Sequence, residues 1–336
     1  MAVFDISSIV VSSRIRLARN IASFPMPQRI NKEQGKKVLE LALRALGSLD
    51  EFKIYNMKTL SSRDAGVMQE KHLISSDLIE QKDYGAVILN HDETVSIMIN
   101  EEDHIRAQCF LRGLDLERAY EILNNYDNKM LEKLDIAFSS KFGFLTSCIT
   151  NLGTGMRASV MCFLPAITLS GEMNNVINQL SNRGICVRGV YGESSGFDGF
   201  MYQISNSRSL GSTEKEIIAS VKEAVLKLCE IENKERMKLR ANRETEITDR
   251  VLRAYGIMTN CYTLSSDEVY KFCGEIKMGI ALGILRLKDN GICDKLFIET
   301  LHHNLSKSSG LDLDGEDEGI YRAKYVREKL RNQRIK

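Results

Sequence analysis

Apolar residues recur along the chain with two periods, about two residues and about 3.6 residues. Residues 9–11 open a strand-like run that leads into Ser12-Ser13-Arg14-Ile15-Arg16. Val38, Leu39, Ala42, Leu43 and Leu46 repeat at helical spacing within residues 32–46. Residues 86–89 and 94–99 are β-rich and bracket Asn90-His91-Asp92-Glu93, which predicts a hairpin. A helix is expected over 115–134, with Asp115 as its cap and Leu116, Ala119, Tyr120, Leu123 and Leu131 on one side. Residues 185–191 and 200–204 read as two strands joined by a Gly- and Ser-rich turn. Thr213 and Glu216 make a capping box that opens a long amphipathic helix through Ile217, Ile218, Val221, Val225, Leu228 and Ile231.

Beyond about residue 235 charge rises and strand signals vanish. Residues 245–336 read as helices, with loops at 265–267 and 308–319. The expected division is a catalytic domain over 1–240 and a helical C-terminal domain over 241–336. Strands in the first part follow one another through turns more than through βαβ crossovers. That pattern favours an α+β domain built on an antiparallel β-sheet flanked by helices.

Charge narrows the partners. Forty-six basic residues against forty-five acidic ones leave +1, without the basic surplus that non-specific nucleic-acid binding needs. None of the eight cysteines forms a C-x-x-C, so zinc ribbons and thioredoxin-type redox motifs lack support. No 18-residue apolar run and no basic-then-apolar leader occur, so the expected location is a reducing cytoplasm.

Two familiar motifs fail on context. Gly192-Glu193-Ser194-Ser195-Gly196 fits a hydrolase nucleophile elbow, but strand-like residues follow where a helix is required. Gly153-Thr154-Gly155-Met156-Arg157-Ala158 fits a dinucleotide loop, with Glu172 near the ribose-acid spacing, but residues 146–151 before it are too polar for a buried strand. The run Asn100-Glu101-Glu102-Asp103-His104 is less common. Neighbouring acids on an extended chain alternate faces and cannot all grip one ion. Arg14 and Arg16, two apart, point the same way in a strand, and paired guanidinium forks suit a polyphosphate. Cys148 lies among the hydroxyls of Thr146, Ser147 and Thr150; spacing alone leaves open an inert small hydrophobe or a reactive thiolate.

In order, these segments resemble the phosphagen (guanidino) kinase family. The matching strings are Ser12-Ser13-Arg14-Ile15-Arg16, Asn100-Glu101-Glu102-Asp103-His104-Ile105-Arg106, Cys148-Ile149-Thr150-Asn151-Leu152-Gly153-Thr154, Arg157-Ala158-Ser159, Arg188-Gly189-Val190-Tyr191-Gly192-Glu193 and Ile204-Ser205-Asn206. The resemblance covers about residues 8–235. It is nearest to the bacterial branch, whose substrate is arginine in proteins. Animal members carry a helical domain before the first arginine motif, whereas thirteen residues precede Arg14 here.

The resemblance implies an antiparallel fold related to glutamine synthetase, and an ATP- and Mg²⁺-dependent kinase. Arg14, Arg16, Arg106, Arg157 and Arg188 would hold the nucleotide phosphates. Glu102 and Glu193 would hold the substrate guanidinium, with Cys148 beside the reacting group. No protein-held metal site is expected, because nucleotide and water would carry the Mg²⁺. The resemblance further implies protein substrates with exposed arginine, an activator protein, a heat-shock repressor, a Clp protease, a homodimer and a role in stress response. Alternatives are a kinase for free arginine or another small guanidino compound, and a non-catalytic adaptor. Two departures stand out. Isoleucine follows Cys148 where the family usually has proline. The R-D-x-x-R-A motif with which the bacterial branch binds phosphoarginine reads Glu318-Gly319-Ile320-Tyr321-Arg322-Ala323, so only Arg322 remains and Glu318 would repel a phosphate.

The implied chemistry suits these residues. A guanidinium stays protonated at neutral pH and is a poor nucleophile, so a carboxylate must orient it and accept a proton. Phosphoryl transfer otherwise needs alignment and charge neutralisation. Walker A and H-R-D motifs are absent, which leaves arginine forks as the nucleotide-binding device.

Overall fold

The computed structural model describes residues 6–46, 52–81, 83–189, 198–331 and 333–335. Its centre is β1 (Val10–Arg19), which pairs on one side with β5 (Ile105–Arg112) and on the other with β8 (Met156–Phe163). Beyond β5 lie β4 (Val95–Ile99), β3 (Ala86–Asn90) and β2 (Phe52–Asn56); beyond β8 lie β10 (Met201–Asn206) and β9 (Ile185–Gly189). Every pairing in this eight-stranded sheet is antiparallel. Strands β6 (Phe138–Ser139) and β7 (Gly143–Phe144) form a separate small hairpin.

Alternation gives the sheet two unlike faces. Ile15, Leu17, Ala107, Cys109, Ala158, Val160, Cys162 and Ile204 are fully or almost fully buried on one of them. Against them pack helices α1 (Lys32–Leu46), α4 (Leu116–Leu131), α6 (Met173–Ser181) and α7 (Glu214–Asn242), completing the main core. The other face is apolar only at its ends. Val87, Leu89 and Met98 are covered by the segment carrying α2 (Ser62–Glu70) and α3 (Ser76–Glu80). Phe163 and Met201 are covered by the C-terminal helices. Between these two covers the face is mainly polar, with Phe110 set among its arginines.

The C-terminal part is helical, as expected: α8 (Glu244–Asn260), α9 (Ser266–Ala281), α10 (Ile292–Glu299), α11 (His302–Ser309) and α12 (Gly315–Leu330). Its two expected loops are corrected. Ser265 caps α9, accepting from Glu268 N in a capping box, so Ser266 and Asp267 are helical. The 308–319 loop shrinks to residues 310–314, because α11 runs to Ser309 and α12 starts at Gly315. Polar runs at these places serve as helix ends rather than as loops. Helix α4 stops at Leu131, and Asp115 makes no side-chain cap; its N–H donates instead to Ser13 Oγ at 2.9 Å. Capping boxes at Thr213 and the 86–99 hairpin match expectation. Among the described residues, no helix is long and apolar enough to cross a membrane.

Candidate active site

The arginines that sequence spacing leaves scattered meet on the polar face of the sheet. Antiparallel partners share a face, and the register sets Arg16 opposite both Gln108 and Arg157, and Arg14 opposite Phe110 and Ser159. Arg106 lies two residues from Gln108 on β5, and Arg188 pairs with Gln203 on β10, so all five arginines lie on this face. Arg14 stacks over Phe110 at 5.1 Å, and Arg157 Nη2 donates to Ser205 Oγ at 3.1 Å.

So many like charges depress one another. Burial, and then the fields of Arg106 and Arg157, pull Arg14 down to about 10. Burial, followed by Arg14, Arg106 and Arg157, holds Arg16 well below the usual arginine range. Arg157 is lowered by burial and by Arg188. Arg106 differs: burial opposes its charge, but its ion pair with Glu101 outweighs that and raises it. Buried Nε atoms of Arg16 and Arg157 have no hydrogen-bond partner. Orphaned donors on a crowded cationic face fit a polyanionic ligand. A cavity of about 220 Å³ opens beside them, walled by Arg14, Arg188, Ser159, Gln203 and His72. Burial and Arg14 lower the His72 pKa, which favours its neutral imidazole there.

Glu102 sits at the tip of the β4–β5 hairpin, whose turn spans residues 100–104. Asn100 adopts φ +57°, a conformation asparagine tolerates, and its N–H donates to His104 O at 2.9 Å. Glu101 turns inward, bonded to Arg106 and, at 2.5 Å, to Ser75 Oγ. Burial would raise its pKa, yet these bonds leave it lowered. Glu102 is half-buried and raised above the usual carboxylate range, first by burial and then by Asp103. Its side chain accepts no hydrogen bond among the described residues.

Cys148 precedes the short 3₁₀ turn Ile149–Asn151, with Sγ 3.0 Å from Thr150 Oγ1. Cys148 and Cys186 both lie within electrostatic reach of Arg157. Asn20, which carries no motif signal, and Asp103 of the acidic run join this turn to the Glu102 hairpin. Asp103 Oδ1 accepts from Asn20 Nδ2 at 2.6 Å and from Ser147 N at 2.7 Å. Asn20 and Asp103 are far apart in sequence, so no local pattern could have paired them.

Glu193 and residues 190–192 of its motif lie outside the described residues, as does the 192–196 elbow. The 153–158 glycine motif leads into β8, whereas a dinucleotide loop opens a helix. Arg322 lies elsewhere, buried in the helical part. Its guanidinium donates to Thr300 O at 2.9 Å and Leu264 O at 3.1 Å and pairs with Glu318, which also meets His302 Nδ1 at 2.9 Å. The Arg322 guanidinium is therefore already paired with a carboxylate of the protein itself. Among the described residues, no cluster of three or more His, Cys, Asp or Glu could hold a metal ion.

Comparison with known proteins gives concordant similarities. Residues 35–235 match the family model of the ATP:guanido phosphotransferase C-terminal catalytic domain, and residues 244–336 match that of the protein-arginine kinase McsB C-terminal domain. The chain is 42% identical over 327 residues to the protein-arginine kinase of Caldanaerobacter subterraneus subsp. tengcongensis, covering 96% of this chain and 97% of that protein. Identity to the protein-arginine kinase of Halothermothrix orenii is 41% over 324 residues, covering 96% and 93%. A lombricine kinase crystal structure shares the fold with TM-score 0.61 at 24% identity, over 68% of this chain and 67% of that one. The duplicated taurocyamine kinase of Schistosoma mansoni superposes with TM-score 0.63 at 21% identity, over 88% of this chain; the match spans about half, 48%, of that longer protein.

Proposed function

The chain belongs to the ATP:guanido phosphotransferase family, and from that premise we propose that it transfers the γ-phosphate of ATP to the guanidinium of arginine residues in proteins. One observation carries the reading. Five arginines share one sheet face with orphaned donors, adjoining the Glu102 hairpin and the Cys148 turn.

In this reading Arg14, Arg16, Arg106, Arg157 and Arg188 bind the phosphates of ATP. Their mutual repulsion falls when a polyanion arrives, so binding and charge neutralisation are one event. Glu102 orients the incoming guanidinium and takes its proton as the N–P bond forms; its raised pKa makes it a better base than an ordinary exposed carboxylate. Glu193 aligns the remaining nitrogens, an assignment that rests on its motif. Cys148 sits beside the reacting group, an assignment that likewise rests on its motif. When bound, Mg²⁺ would offset the charge of the phosphates, held by nucleotide and water rather than by protein side chains. We take the catalytic domain as 1–240 and the helical domain as 241–336. The setting the resemblance implies is a cytoplasmic homodimer in the stress response, working with an activator protein, a heat-shock repressor and a Clp protease. The Glu318–Arg322 pair supports the view that phosphoarginine does not regulate this chain.

A labelling experiment tests the reading. ATP carrying a γ-labelled phosphate is offered with free L-arginine in one reaction and an arginine-bearing protein in another. Acid-labile label on protein alone is expected. Label on free arginine would make it a small-guanidino kinase, and label on neither would make it an adaptor.

A further inference from the structure

The reacting end of the sheet carries an apolar surface that the chemistry above does not use. In the β6–β7 hairpin the Phe138 ring is 61% exposed and Phe142 42%, while Ile149, next to Cys148, is 84% exposed and Leu210 46%. This surface is framed rigidly. Phe144 supports Phe138 edge-on at 5.3 Å and lies 3.7 Å beneath the Arg19 guanidinium, which the buried Asp127 holds at 2.7 Å. The hairpin is tied down by Phe144 N to Gly153 O at 2.8 Å and Leu145 N to Ala137 O at 2.9 Å. Glycines allow the close approach: Gly153 has φ +112°, and a Cβ there would sit 2.8 Å from Leu210 Cα. Phe138, Phe142, Phe144 and Leu210 form the apolar part of an open groove of about 390 Å³, whose lining also includes Lys141, Glu214 and Glu216.

The groove is continuous with the site. Ser209, beside Leu210, donates to Leu152 O at 3.0 Å in the Cys148 turn. Asn20 Nδ2 bonds both Asp103 Oδ1 beside Glu102 and Leu145 O at the hairpin base. Exposed aromatic and aliphatic side chains grouped around a site favour a partner that removes them from water.

We propose that this groove receives an apolar side chain of the polypeptide that carries the target arginine. The inference rests on the protein-substrate reading, because a free amino acid would have nothing to place there. An extended chain advances about 3.3 Å per residue, so side chains two to four positions from the target lie roughly 7–13 Å from it, within range of a surface bordering the site. The groove thus selects arginines with leucine-like neighbours.

Two otherwise glycine- and serine-rich peptides test this, each with one arginine, flanked on both sides at positions two to four by leucine in one and by serine in the other. Partial burial of one leucine predicts a preference of about tenfold in kcat/KM for the leucine peptide. In the triple variant Phe138→Ser, Phe142→Ser, Leu210→Ser that ratio should fall below threefold, with a melting curve to verify folding. Phe142→Ser alone serves if the triple variant does not fold, and should reduce the ratio at least twofold. Equal rates on both peptides in the unaltered protein, or an unchanged ratio in the folded variant, would overturn the groove while leaving protein phosphorylation intact. Label on free arginine with none on either peptide would instead remove the protein-substrate reading, and the groove with it.

Discussion

Asp103 accepts the backbone N–H of Ser147 at 2.7 Å, and this bond fixes the turn carrying Cys148 to the hairpin carrying Glu102. The same oxygen holds Asn20 at 2.6 Å, so one buried carboxylate sets the spacing of two candidate reacting groups. Asp103→Ala should therefore lower kcat by about 100-fold, the usual penalty for a displacement near 1 Å, while KM for ATP changes less than threefold. Loss of ATP affinity with kcat retained would show that Asp103 does not set this geometry. Melting should also fall, because the Asn20 and Ser147 donors lose their shared acceptor.

The raised pKa of Glu102 fixes the acid side of the pH profile. A general base works only when deprotonated, so the rate should decline as pH falls through the Glu102 pKa, which lies above the ordinary glutamate value. Glu101 is lowered by its bond to Arg106 and stays ionised through that window. Single-turnover rates against pH check this: Glu102→Gln should lose most of the rate and the acid limb together. An unchanged acid limb in that variant would assign it to another group.

Glu70 links the helical part to the cavity beside Arg14. Its carboxylate accepts from His303 N and Asn304 N, both at 2.8 Å, and from Asn304 Nδ2 at 2.6 Å, capping α11 from the end of α2. Two residues on, His72 adopts φ +59° and lines the cavity with Arg14, its carbonyl held by Gln108 Nε2 at 2.9 Å. Glu70→Ala should weaken ADP binding by about 3–10-fold in an equilibrium titration, with a smaller change in kcat. Asn304→Ala, on the far partner, should move affinity in the same direction. No change in either variant would show that α2 holds His72 without help from α11.

Arg322 is a buried structural cation. Removing it as Arg322→Ala leaves two buried carbonyls without their donor and Glu318 with His302 as its remaining partner, which should cost about 3 kcal/mol of stability in denaturant titration. Added phosphoarginine should leave the melting temperature of the unaltered protein unchanged. A concentration-dependent rise would show that Glu318 yields its place to a phosphate.

Short-range chemistry made part of this protein readable. Alternation placed Arg14 and Arg16 on one face, the 86–99 run announced its hairpin, and Thr213 with Glu216 announced α7. These features depend on sterics and bonds among residues a few positions apart, which composition and spacing record directly. Polar helix starts such as Ser265 were harder, because a cap and a loop use the same residues. The tertiary structure alone decided that Arg188 joins Arg14 beside one cavity, that Asp103 ties Ser147 to Asn20, and that α11 rests on Glu70. Those contacts bridge 44 to 234 residues of chain. They follow from strand register and from which faces had to be buried together, and no local pattern encodes that outcome.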